Sequence, residues 1–275
     1  MLVEQIKEDR VPLEIPAFYL IDHRLIALVM VALLLAACEI GYRLGLANAG
    51  APDSLRTLMS GTGAAMLGLL GLLLGFALSM AIARWDTRRD VIIDESNAIG
   101  TLSLRAGLLE DPLRGRLREE LRAYSDARIA LGGSRSDPDA LRKARRESEA
   151  LHVAIWSVVE SANRPTTANA TLASLISSAN EVIDLHELRL ASVENHLPPA
   201  LFLLLLALGA VSVAFLAWSF GAASHRGRAP MLLLALLIGA VLLLIMDVNR
   251  PQRGIVSVGV APLERAAGSI SAPTG

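Results

Sequence analysis

The stretch Thr62–Ala83, TGAAMLGLLGLLLGFALSMAIA, decides the fold. It holds no charged residue, and it matches the roughly 20 helical residues needed to cross a hydrocarbon core. Inside lipid each backbone N–H and C=O must find its partner within the segment, so an apolar run of this length is a helix. Three similar runs accompany it, Leu25–Leu46 before it and Pro199–Phe220 and Pro230–Val248 after a polar middle section. None shows the alternating polarity of a membrane strand. The expected fold is therefore an all-α integral membrane protein with four transmembrane helices and a helical domain inserted between the second and third.

Hydrophobic residues make up 53% of the 275-residue chain, while aromatics are only 4%, so Leu, Ala and Val supply most of the apolar mass. Mean hydropathy is +0.48, too apolar for an ordinary water-soluble domain. With 26 basic against 27 acidic residues the net charge is −1, which gives nucleic acid no purchase. A single cysteine excludes an internal disulfide. Leu35-Ala36-Ala37-Cys38 has the form of a lipoprotein cleavage box, but the acidic segment Met1–Arg24 ahead of it does not suit a signal peptide. Cys38 reads as a small residue inside the first span.

Prolines and glycines punctuate the middle section. Asp111-Pro112 and Asp137-Pro138 each read as an N-cap followed by a first-turn proline, Gly132-Gly133 as a break and Asn163-Arg164-Pro165 as a turn. They predict helices near 85–110, 112–131, 138–162 and 168–196, and no breaker separates the second span from the first of these. The chain thus divides into an N-terminal segment (1–24), spans one and two (25–84), a helical domain (85–197), spans three and four (198–248) and a C-terminal tail (249–275). Lys7, Arg10, Arg24, Arg84, Arg88, Arg89, Arg189, Arg250 and Arg253 flank the spans on what is then one side, with Arg226 and Arg228 opposite. The excess of cations places both termini and the helical domain in the cytoplasm of a cell whose inner, plasma membrane holds the protein. Trp85, Tyr42 and Trp218 stand at span ends, where amphipathic rings favour the headgroup level.

Several polar residues invite a functional reading. Asp86, Asp90 and Asp94 recur every fourth residue with Glu95 beside them, a column that fits either a solvated face or an acidic ring lining a cation path. Glu39 lies within the first span, where a carboxylate must be paired or wet, and Arg43 one turn on is suitably placed to pair with it. In the second span Ala64, Gly68, Gly71, Gly75 and Ser79 form a small-residue stripe suited to close helix packing. Leu69, Leu72, Phe76, Met80 and Ala83 form a bulky stripe beside it. In a symmetric oligomer the bulky stripe would make an apolar constriction; facing lipid, it would need no further role. His186-Glu187 lacks the second histidine of a zinc-protease helix, since position 190 is leucine, and Asp184 points elsewhere on the same helix. No metal site, cofactor site or catalytic constellation is expected, and the chain does not read as an enzyme.

The motifs taken in order resemble the bestrophin-like domain family of bacterial membrane proteins. They are Glu39-Ile40-Gly41-Tyr42-Arg43-Leu44-Gly45, Gly75-Phe76 through Ser79, Arg84 with Arg88-Arg89, Glu95-Ser96-Asn97-Ala98-Ile99-Gly100-Thr101, Asp184-Leu185-His186-Glu187-Leu188-Arg189 and Asp247-Val248-Asn249-Arg250-Pro251-Gln252-Arg253-Gly254. The resemblance implies a pentameric homo-oligomer in the lipid bilayer that passes inorganic ions through a pore lined by the second span, with Leu69, Leu72, Phe76 and Met80 at its neck. With Asp90 and Asp94 of the acidic column, the motif residues Glu95, Asn97, Asp184 and His186 are the polar candidates of the helical domain. The chain has no counterpart of the acidic calcium clasp of animal bestrophins, so calcium gating is not implied. Two functions follow: an ion channel or transport protein, and a non-conducting scaffold or sensor whose helical domain binds a partner.

Overall fold

The computed structural model describes residues 22–133, 138–165, 167–223, 228–250 and 258–271, and among them there is no strand. The helices are α1 (His23–Ala47), α2 (Asp53–Ala106), α3 (Leu113–Gly133), α4 (Pro138–Ser161), α5 (Asn169–Glu194), α6 (Pro199–Ala222), α7 (Arg228–Val248) and α8 (Ala261–Ser271). Among the described residues four helices are long and apolar enough to cross a membrane, and they contain the four predicted runs. Most of the N-terminal segment, Arg226 and Arg253 lie outside the described residues.

Local chemistry explains the boundaries. Asp22 caps α1 by accepting a hydrogen bond from the Arg24 amide at 2.8 Å, the N-cap device that satisfies an orphan donor. Pro199 opens α6 at a position where a missing N–H costs nothing. α2 begins nine residues ahead of its apolar run, with Pro52 just before it and Asp53 in its first turn, and it runs unbroken to Ala106. Asp111 and Pro112 differ from expectation: they form a turn with a cis peptide bond, and α3 starts after the proline. The expected C-terminal tail contains the helix α8.

The chain forms two compact units. One gathers the described residues through Ala83 with His196–Arg250; the other gathers Arg84–Asn195 with the described residues after Arg250. In the first unit α1, α2, α6 and α7 pack around small residues: a Cβ at Gly209 of α6 would lie 3.3–3.6 Å from Ile238, Leu70 and Leu34, one on each of the other three helices. The closest approach is between α1 and α6. A Cβ at Gly41 would fall on the backbone of Ala214, one at Gly45 on that of Trp218, and one at Gly221 on the Tyr42 carbonyl. Small residues let membrane helices approach to backbone contact. The Gly45→Ala variant is therefore expected to push α1 off α6 at a cost of about 1–3 kcal/mol, read as a lower melting temperature in detergent. Gly61→Ala, which meets nothing within 4 Å in the chain, is the control.

The second unit buries the apolar stripes of five helices together. Ile99 and Leu102 of α2, Leu117 and Leu121 of α3, Ile155 and Val158 of α4, Leu175 and Val182 of α5, and Leu263 of α8 share one core. Ser96 ties α2 to α8 by donating to the Pro262 carbonyl at 2.7 Å, and Arg122 of α3 donates to the Ala267 carbonyl at 2.9 Å. Both bonds engage backbone oxygens of α8. The C-terminal helix is thus an integral part of this unit.

Candidate functional site

Two regions hold the residues singled out from the sequence. The first is the apolar part of α2. Leu70, Leu74, Ala77 and Ala81 lie on one face and are buried, so this face holds α2 to its own subunit. The rest of the circumference is open. Gly68, Gly71 and Gly75 have nothing within 4 Å of where a Cβ would stand, and Leu69, Leu72, Phe76 and Met80 are all exposed. Only 17% of the most apolar window of α2 is buried, against 28% for α1 and 44% for α7. Within one chain the glycine stripe faces open space, and Leu69, Leu72 and Phe76 beside it are at least half exposed.

Glu39 of α1 lies in the same unit. Its Oε1 accepts from Arg43 Nε at 2.7 Å and from Arg228 of α7 at 3.1 Å, so a pair within α1 becomes a bridge to α7. The Arg228 guanidinium also lies over the Tyr42 ring, 4.7 Å from its centroid, a favourable cation–π distance. At the far end of α7, Asn249 Oδ1 accepts from the Leu197 amide at 3.1 Å, tying the chain just before α6 to the end of α7.

The second region is a buried polar cluster at the heart of the second unit, centred on Glu95. Glu95 is fully buried. Its Oε1 accepts from Arg128 Nε at 2.5 Å and from the Tyr124 hydroxyl at 2.9 Å, while Oε2 accepts from Arg189 at 2.7 Å. Burial alone would push the Glu95 carboxyl up, but Arg128 and Arg189 more than offset this and hold it below the usual carboxylate range. Burial and the Glu95 charge push the Tyr124 hydroxyl well above its ordinary value, so it stays a neutral donor. Two histidines complete the cluster: His152 lies 5.0 Å from Tyr124, and His186 packs edge-on to His152 at 4.6 Å between centroids. Burial, then the neighbouring Arg128, pushes His152 down to about 4 and His186 to about 2, so both rings are neutral at physiological pH.

Of the polar residues noted in this part of the sequence, Glu95 and His186 meet in the cluster. Asp86, Asp90, Asp94, Asn97 and Asp184 remain at the surface. The acidic column is exposed on the single chain. Tyr124, Arg128, His152 and the pairing role of Arg189 escaped the sequence reading, although a signal was present. Glu95 falls in register with Ile92, Ile99 and Leu102, and Arg128 follows Leu117, Leu121 and Tyr124 at helical spacing. An ion on an apolar helical stripe is bound to be buried, and it therefore needs partners from other helices. Among the described residues no three His, Cys, Asp or Glu side chains gather as a metal-binding group.

An all-helical membrane protein with these features belongs to the Bestrophin-like domain family, whose sequence model matches residues 27–263. Among solved structures, the chain is similar to two single-substitution variants of a bacterial bestrophin homologue from Klebsiella pneumoniae. One aligns at a TM-score of 0.66 with 14% identity, covering 88% of this chain and 96% of the other. The second aligns at 0.63 with 13% identity, covering 86% and 96%. A third structure, described as a membrane protein, aligns at 0.63 with 15% identity over 88% and 95%. These likenesses extend over both units and show a shared fold. No curated protein sequence matches the chain.

Proposed function

We propose that this chain forms a bestrophin-type ion channel, a closed ring of identical subunits whose pore is lined by α2. The observation that carries the reading is the exposure of two neighbouring stripes on α2. A flat glycine face gains little from lipid but lets another helix approach closely, so Gly68, Gly71 and Gly75 are assigned to packing against the neighbouring subunit. Turned toward a central axis, Leu69, Leu72, Phe76 and Met80 would form successive apolar rings, a constriction able to gate ions by dewetting. Family membership supports the channel class and a non-enzymatic role. The second unit and both termini are assigned to the cytoplasmic side of the inner membrane, following the flanking cations.

Two measurements test this. In reconstituted liposomes, Phe76→Ala removes a bulky ring from every subunit at once and is expected to raise ion flux over the wild type. Well-folded oligomers of both proteins that pass no ions in any salt would move the chain to the scaffold reading. For topology, a cysteine introduced at Ser269 is expected to label only from the cytoplasm and one at Ser54 only from outside; the reverse pattern would overturn the orientation.

A further inference from the structure

We propose that Arg128, His152 and His186 form a buried binding site for a small anion, of halide size or little larger, inside the second unit. Both oxygens of Glu95 are already engaged, by Tyr124 and Arg128 at one and Arg189 at the other. One carboxylate thus faces two guanidiniums, and the closed core carries an unbalanced positive charge. Five buried nitrogens beside it make no hydrogen bond: both terminal nitrogens of Arg128, both ring nitrogens of His186 and Nε2 of His152. The side chains of Arg128 and His186 are completely buried. A buried, unpaired donor costs more when it is charged than when it is neutral, so a ligand here has to accept from Arg128 and bring negative charge. Water meets the first requirement only. A metal ion, which two imidazoles would otherwise suit, meets two guanidiniums instead.

The site couples anion to proton. A neutral imidazole has one N–H and one lone pair, whereas a halide only accepts, so an anion beside the ring nitrogens favours a second proton on one of the rings. The groups facing the rings decide how far. From α2 comes Glu95; from α3, Tyr124 and Arg128; from α4, Arg145 and Glu149; and from α5, Glu187 and Arg189. Arg145 and Glu149 hold each other at 2.9 Å. Glu187 approaches His186 Nε2 only to 3.9 Å and is 69% exposed, so it leaves the ring's proton unclaimed. Anion affinity should therefore rise as pH falls, because the bound charge offsets the repulsion from Arg128.

The test uses the full-length protein in detergent, with sodium bromide titrated against sodium gluconate at constant ionic strength. Bromide is expected to raise the melting temperature saturably, more at pH 6 than at pH 8, and His152→Gln, which removes the more readily protonated ring, should lose the pH-dependent part. Wild-type crystals grown in bromide should show an anomalous peak in contact with the Arg128 terminal nitrogens. Equal melting in bromide and gluconate at both pH values would overturn the proposal, as would an identical bromide response in the His152→Gln variant. The crystal measurement needs no variant to fold, and ordinary solvent density without an anomalous peak at Arg128 would overturn it equally.

Discussion

The Glu95→Gln variant is expected to lose about 3–5 kcal/mol of stability, the usual cost of stripping one partner from a buried ion pair. Glu95 neutralises Arg128 and Arg189 in a core where all three side chains are almost wholly inaccessible. An amide keeps the shape and some hydrogen bonding but leaves two guanidinium charges in a low-dielectric interior, where water cannot screen them. The neighbouring Asp94→Asn change removes the same charge from the exposed face of α2 and should stay within about 0.5 kcal/mol of wild type. Adding Arg189→Met to Glu95→Gln restores the charge balance and should recover part of the loss, a coupling that a double-mutant cycle measures directly. Equal stability of Glu95→Gln and wild type in chemical denaturation would mean that the ion cluster does not form.

Acidification is expected to act on the same unit with comparable force. The unfolded chain binds protons on its histidines near the ordinary value of 6.5, while native His152 resists to about 4 and His186 to about 2. The unfolded state therefore holds more protons throughout this window, and stability rises with pH. The contribution is complete above pH 6.5 and drains as pH falls toward 4 and below; His152 alone accounts for about 3 kcal/mol. Below about 4.5 the lowered Glu95 carboxyl adds a loss of the same sign. Trp156 of α4, four residues beyond His152, offers a fluorescence reporter for melts at pH 7.5, 6 and 5. Mutating His152 to Leu should remove about half of the histidine-linked slope between 6.5 and 4, since His186 contributes the rest. A melting temperature independent of pH over that range would contradict buried neutral rings.

The membrane helices were legible because length and apolarity alone determine them: no other structure satisfies the backbone of Thr62–Ala83 in lipid. The helices of the second unit were legible within a few residues because Pro112, Pro138 and Pro165 stand next to their ends. α8 was missed although Leu263, Ala266, Ala267 and Ile270 recur at helical spacing, because a segment of 11 residues is marginal as a helix by itself and owes its stability to packing on the rest of the unit. The close packing of α1 on α6 was hidden for another reason. Gly41 and Gly45 look no different in sequence from Gly71 and Gly75, and only the fold shows that the first pair meets a neighbour within the chain. The Glu95 cluster draws on four helices, with partners 29, 33 and 94 residues away, so no local spacing announces it. Its trace in the sequence is the conflict between an ionisable residue and the apolar register around it.

The central claim is that the open faces of α2 are closed by other copies of the chain around a shared axis. Native mass spectrometry of the full-length protein in mild detergent tests it most directly. The account predicts a single symmetric assembly of more than two subunits, disrupted when a bulky Leu replaces Gly71 in the packing stripe. A wild-type protein found as a monomer or simple dimer would leave no central pore, and would contradict the account.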